Sequence, residues 1–352
     1  MIINYDILKL IFGFATGFFV VYFAIPSIVR VAKLKNFCDE PNFRKVHTNN
    51  IPTLGGLAIF AGTILGFCIW SDFKDAHYLQ QLIASMVVIL FVGMKDDILI
   101  IAPITKLVGQ IISSYIVVVI GDIRITHFYG YFGIDILPFW VSVSFTIFFI
   151  LFIINGFNFI DGIDGLASTI GIVVSSALVF WFILAHKYTQ SILGLALIGS
   201  LIGFFLFNVF GKENKIFMGD TGSQLLGLIT SILSIDFLES NYISTPNLQF
   251  WSAPAIVMGI LFIPIFDILR VTFIRLVLGN PIQKADKNHI HHRLIQLGFS
   301  HLKSTLVLGV TNIIFIVFVF HFHKIGSLRL MMIMIIAGMI LSYLVSILRK
   351  KK

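Results

Sequence analysis

Long apolar runs alternate with short polar connections along the whole chain. Spanning a ~30 Å hydrocarbon core takes about 20 residues at 1.5 Å per residue. Runs of that order fall at 7–32, 51–70, 79–94, 104–121, 138–155, 165–185, 191–210, 221–238, 252–274, 304–322 and 328–347. The pattern predicts an all-α polytopic membrane protein of about 11 transmembrane helices. No linker, low-complexity tract or internal repeat divides it, so 1–352 reads as a single transmembrane domain. Segment 122–137, with Gly130 and Gly133, reads as a short hairpin between two spans.

Composition sharpens this picture. The 352 residues are 58% hydrophobic and 12% charged, whereas soluble domains are nearer about 25% charged. That excludes a soluble enzyme, a disordered chain and an ordinary nucleic-acid binder. Two cysteines, Cys38 and Cys68, exclude a disulfide scaffold and a four-cysteine zinc site. An odd number of spans puts the termini on opposite sides. With the N-terminus outside, only Lys9, Lys74, Arg124, Lys187, Lys324 and Arg329 of the 25 Lys and Arg residues fall outside. The bias predicts an outer N-terminus and a cytoplasmic C-terminus. The first run lacks a cleavage site and is expected to be a retained helix.

That topology, drawn from Lys and Arg alone, brings six acids to the inner face: Asp96, Asp97, Asp161, Asp164, Asp220 and Asp267. Ionisable groups at a membrane boundary are costly, so their convergence points to a site. Lys95-Asp96-Asp97 falls between the third and fourth runs. Adjacent carboxylates suit a divalent cation or a base, and equally a solvated helix cap. Asn155-Gly-Phe-Asn158-Phe-Ile-Asp161-Gly-Ile-Asp164-Gly places four amide or carboxyl groups three residues apart at the mouth of an apolar run. A plain turn needs no such series, and the spacing is not that of a calcium loop. Phe217-Met-Gly-Asp220-Thr-Gly-Ser223 opens the eighth run. Asp220 can ligate Mg2+, and the N–H groups around Gly219, Gly222 and Ser223 can hold phosphate or simply begin a capped helix.

His289-Ile-His291-His292-Arg293 puts three His in four residues. No cysteine pair stands near, so contact with phosphate, together with Lys284 and Lys287, fits better than zinc. Arg44, Lys45 and His47 can meet an anion or acidic lipids. Lys106, one turn into the fourth run, can pair with Asp96 or Asp97, and Asp267 and Arg270 have the i,i+3 spacing of an intramembrane ion pair. Metal-binding carboxylates, phosphate-binding cations and a His/Arg loop at one membrane face are the equipment of phosphoryl transfer. An ion-coupled transporter is the rival reading. Transporter sites lie near the midplane between repeated halves, and no repeat is visible here.

In this order, Arg44-Lys45-Val-His47, Leu54-Gly-Gly-Leu-Ala, Asp96-Asp97, Asn155-x-x-Asn158-x-x-Asp161-Gly-x-Asp164-Gly-Leu-Ala, Phe217-Met-Gly-Asp220-Thr-Gly-Ser and His289-Ile-His-His-Arg-Leu resemble the polyprenyl-phosphate N-acetylhexosamine-1-phosphate transferases. The His-Ile-His-His form is similar to the N-acetylglucosamine branch. The phospho-muramoyl-pentapeptide branch, the alternative, usually shows Pro-x-His-His-His. The polar Gly211-Lys-Glu-Asn-Lys215 departs from the family pattern.

The resemblance implies that undecaprenyl phosphate attacks the β-phosphorus of a UDP-N-acetylhexosamine, releasing UMP and starting a cell-envelope glycan such as O-antigen or teichoic acid. It implies Mg2+, with Mn2+ as a substitute, a site on the cytoplasmic face of the inner membrane, and allows a homodimer. Carried onto this chain, Asp96 or Asp97 would orient or deprotonate the lipid phosphate, and Asp220 with Asn158 would bind the metal. Asp161 and Asp164 would line the nucleotide and metal pocket. His291 and His292 would hold the diphosphate, with Arg44, Lys45, His47, Lys106, Asn155, Lys215, His289 and Arg293 as further substrate-binding residues. A phosphate monoester is already largely dianionic near pH 7 (second pKa about 6), so orientation by Asp96 is favoured over proton abstraction.

Overall fold

A computed structural model describes residues 5–35, 38–39, 51–72, 79–99, 101–279 and 288–350. Arg44, Lys45, His47, Lys284 and Lys287 lie outside the described residues. Each apolar run becomes a helical pass. The passes are α1 (Tyr5–Leu34), α2 (Gly55–Trp70), α3 (Leu79–Leu99), α4 (Pro103–Tyr115, continued by a π-helical turn Ile116–Ile120), α5 (Phe139–Ile160), α6 (Leu166–Leu184), α7 (Tyr188–Phe210) and α8 (Gly219–Tyr242). They continue as the pair α9 (Ala253–Ile260) and α10 (Phe262–Val277), then α12 (His301–His321) and α13 (Ser327–Lys350); the short α11 (Ile290–Gln296) precedes α12. Among the described residues, eight helices are long and apolar enough to cross a membrane, and α9–α10 can form a ninth span. Of the other two, α2 has 16 residues, and α3 carries Lys95, Asp96 and Asp97 in its last turns.

The ninth run is not the straight helix its composition predicts. α9 and α10 meet at Leu261 with a bend of 81°. Pro264 has no N–H to donate, and a break leaves backbone groups without helical partners. Asn312 of α12, fully buried, supplies both: its Oδ1 accepts from Ile263 N–H at 3.1 Å and its Nδ2 donates to Ile260 C=O at 2.9 Å.

The most enclosed helix is α8, packed against α5 and α3. Its Thr and Ser hydroxyls donate back to carbonyls within the helix, so the polar residues are satisfied without facing lipid. α1, α2 and α7 pack together on one flank, while α13 presents most of its apolar surface outward. A two-residue antiparallel pairing joins Cys38–Asp39 (β1) to Ile51–Pro52 (β2). Segment 122–137 forms the expected hairpin: Phe128 N–H donates to Asp135 C=O and Leu137 N–H to Thr126 C=O. It docks on the far end of α8 through Thr126, which donates from N–H and Oγ to Glu239.

Candidate active site

α3, α5 and α10 end, and α4, α6 and α8 begin, at one end of the bundle. Asp96 and Asp97 sit in the last turn of α3 and not in a connection beyond it. That end of a helix carries partial negative charge and disfavours carboxylates, so neighbouring elements must supply the compensation. Lys106 of α4 stands between three partners: Asp96 at 3.1 Å, Asp220 at 2.5 Å and the Asn158 Oδ1 at 3.3 Å. Asn158 Nδ2 donates to Asp220 and, at 2.9 Å, to Ser223 Oγ. Asp96 also accepts from Ile101 N–H at 3.0 Å, which closes the α3–α4 turn.

Asp97 takes a different direction. Its Oδ1 accepts from Asp220 N–H at 2.7 Å, and its Oδ2 accepts from Thr221 N–H at 3.1 Å and Thr221 Oγ at 2.6 Å. The carboxylate therefore caps α8 from a separate helix. Asp97 thus takes up the N–H groups of Asp220 and Thr221, which is the capped start that the sequence offered beside a phosphate cradle.

The loop after α5 carries Asp161 and Asp164. Lys215 Nζ lies 2.8 Å and His301 Nδ1 3.1 Å from the same Asp164 oxygen, and Thr305 Oγ donates to Asp164 C=O at 2.9 Å. Burial pushes the Asp164 carboxyl up, but the hydrogen bonds from His301 and Lys215 outweigh it and hold it below the usual carboxylate range. Asp161 makes no such pair. Burial raises it well above the usual range, and the charges of Asp220, Asp97 and Asp164 add to the shift.

The His segment is anchored from α10. Asp267, fully buried, sits 2.7 Å from His289 Nδ1 and accepts from Ile290 N–H at 2.9 Å, while Arg270 donates to Asn288 C=O. The Asp267–Arg270 contact is the longer one at 3.4 Å, so Asp267 is chiefly the anchor of this segment. His291 is buried beside Gly162, and its Nε2 has no hydrogen-bond partner. Burial, with His292 beside it, lowers its pKa to about 3, so the ring is neutral at pH 7. The His291 and His292 rings lie 4.2 Å apart.

Nearly every described residue singled out in the sequence comes to this end, with two qualifications. Asn155 uses its amide donors on Gln110 Oε1 (3.0 Å) and Leu151 C=O (2.8 Å), in a buried chain that continues from Gln110 to Gln224. Arg293 directs one guanidinium nitrogen to Ser346 of α13 at 2.6 Å. His301 and Gln110 belong to the site and were not singled out; a lone His at a helix start or a Gln inside an apolar run carries no local signal. Among the described residues no three His, Cys, Asp or Glu side chains form a ready-made metal cage. Mg2+ is normally held by one or two carboxylates plus waters and substrate phosphates, and the side-chain oxygens of Asp220 and Asn158, which meet at Lys106, fit that role.

Comparison with known proteins identifies a family. A model of "Glycosyl transferase family 4" matches residues 79–238, from α3 through most of α8. A Bacillus subtilis (strain 168) protein named "Probable undecaprenyl-phosphate N-acetylglucosaminyl 1-phosphate transferase" is 31% identical over 309 residues, 88% of this chain and 83% of the relative. A Mycobacterium leprae "Decaprenyl-phosphate N-acetylglucosaminephosphotransferase" is 28% identical over 83% of this chain and 78% of its own. An Escherichia coli (strain K12) "Undecaprenyl-phosphate alpha-N-acetylglucosaminyl 1-phosphate transferase" is 30% identical over 77% and 72%. With its motifs gathered at one end of the bundle and relatives matched over most of their length, the chain belongs to glycosyl transferase family 4.

Proposed function

We propose that the protein transfers N-acetylglucosamine-1-phosphate from its UDP derivative to undecaprenyl phosphate, at the cytoplasmic face of the inner membrane. The observation that carries this reading is Lys106, fixed between Asp96, Asp220 and Asn158 beside a cluster of His and carboxylate groups. The relatives' names supply the acceptor class and the sugar. An oxygen of the lipid phosphate attacks the β-phosphorus of the nucleotide sugar. The bond from that phosphorus to the bridging oxygen breaks, and the electron pair leaves on UMP. Lys106 and Asp96 orient the attacking phosphate, which needs little deprotonation near pH 7. Neutral His291 and its neighbour His292 offer ring nitrogens to the diphosphate, and Asp164 holds Lys215 at the rim. Asp220 and Asn158 would hold a divalent cation, whose chemical contribution is to neutralise charge on the diphosphate.

The test is UMP release by detergent-purified protein given undecaprenyl phosphate and a panel of UDP-N-acetylhexosamines, with and without Mg2+, beside Asp220→Ala. Lipid- and metal-dependent UMP formation that the variant lacks is the expected result. No UMP with any donor would overturn the reading.

A further inference from the structure

The start of α8 is clasped by two neighbouring helices in a way that the reaction alone does not explain. From α2, Gly55 N–H donates to Phe217 C=O at 2.9 Å and Gly56 N–H to Met218 C=O at 2.9 Å. A Cβ on Gly56 would stand 2.2 Å from Gly222 N, and one on Gly93 of α3 would stand 2.4 Å from Thr221 Cα. Gly219 has φ +71°, and a Cβ there would meet Thr53 O at 2.1 Å and the Asp97 carboxylate at 2.7 Å. Three glycines thus bring backbones to a separation that no other residue allows. Asp97 then spends its three contacts on Asp220 N–H, Thr221 N–H and Thr221 Oγ. Adjacent Asp96 spends its own on Lys106 and Ile101 N–H.

We infer that Asp97 is a positioning residue: it caps α8 from α3 and fixes the backbone of Asp220, while Asp96 alone of the pair faces the reacting phosphate. Resting on the proposed function, this divides the two adjacent carboxylates by role. α3 gains no stability from an acid in its last turn, so the placement makes sense only as service to α8. The partial positive charge of the α8 N-terminus is then met by Asp97, and the Asp220 side chain is directed to Lys106 and Asn158, where the proposed function places the cation. Partners that orient a metal ligand without touching the metal typically change metal affinity or activity by about 10–100-fold when removed.

The experiment compares Asp97→Asn, Asp97→Ala, Thr221→Val and Asp96→Asn. Two readouts are taken: the Mg2+ concentration that half-saturates UMP release, and the rise in melting temperature with Mg2+ in the absence of substrates. Expected are a requirement for about tenfold more Mg2+ in Asp97→Asn and a smaller shift in the same direction in Thr221→Val. At saturating Mg2+ Asp97→Asn recovers most of its turnover with an unchanged pH profile, whereas Asp96→Asn stays inactive. If Asp97→Asn instead loses turnover at every Mg2+ concentration with its Mg2+-dependent melting unchanged, Asp97 is itself a reacting group and the inference is overturned. Thr221→Val, which keeps every carboxylate, preserves the test if Asp97→Ala does not fold. A wild type that releases no UMP but is stabilised by Mg2+ would sink the functional reading and leave the melting comparison decisive. A wild type that is not stabilised by Mg2+ at all would sink the inference.

Discussion

At Gly162 the methyl of an alanine would stand 2.3 Å from His291 Nε2. The loop and the His segment are therefore fitted to each other at one atom. Displacing a substrate-facing group by about 1 Å can cost ~100-fold in rate, so Gly162→Ala should cut kcat/KM by about that factor while the protein still folds; steady-state kinetics checks it. His291 also gives a pH signature. Its pKa of about 3 lies below the 6.5 of an exposed imidazole, so the unfolded chain binds the proton first. The stability this residue contributes is fully present above pH about 6.5 and is lost as the pH falls toward 3. Melting temperatures in detergent should fall more steeply across that window for the wild type than for His291→Asn. Asp164 works in the opposite sense to its buried neighbour Asp161, because Lys215 and His301 keep it ionised. Thr305 holds the same loop from α12.

Elements are held in register by side chains that serve helices other than their own. Asn312 of α12 satisfies both backbone groups freed at the α9–α10 bend. Replacing it with Leu leaves a buried N–H and a buried C=O unpaired, at about 1–3 kcal/mol each. Asn312→Leu should therefore lower stability by roughly 2–6 kcal/mol on that accounting, measured as a loss of melting temperature. It should also weaken catalysis, since α10 carries Asp267, the anchor of His289. The buried chain Asn155–Gln110–Gln224 ties α5, α4 and α8 beneath the site in the same manner. The sequence shows Asn312 and Gln110 only as isolated polar residues in apolar runs, and nothing local marks what they bond.

Across the whole molecule, the passes alternate so that the described candidate carboxylates, Lys106 and the His segment fall at one end. The Lys and Arg bias predicts that this end faces the cytoplasm. A fluorescent-protein fusion at the C-terminus should therefore fluoresce, and a periplasm-dependent phosphatase fused there should stay inactive; the reverse pattern would invert the topology. The chain itself determined the helical class, because a run of apolar residues of spanning length has one economical conformation in lipid. It also determined the motifs, because the proposed reaction calls for Asp, Asn, His and Lys in quantities that an apolar chain otherwise avoids. Only the tertiary structure decided that Asp97 caps α8, that His301 reaches Asp164 from 137 residues away, and that the ninth run bends. Helices apolar on all sides carry no stripe that tells which face meets which neighbour. Their partners are chosen by close packing and by the need to satisfy every buried polar group once the bundle is assembled.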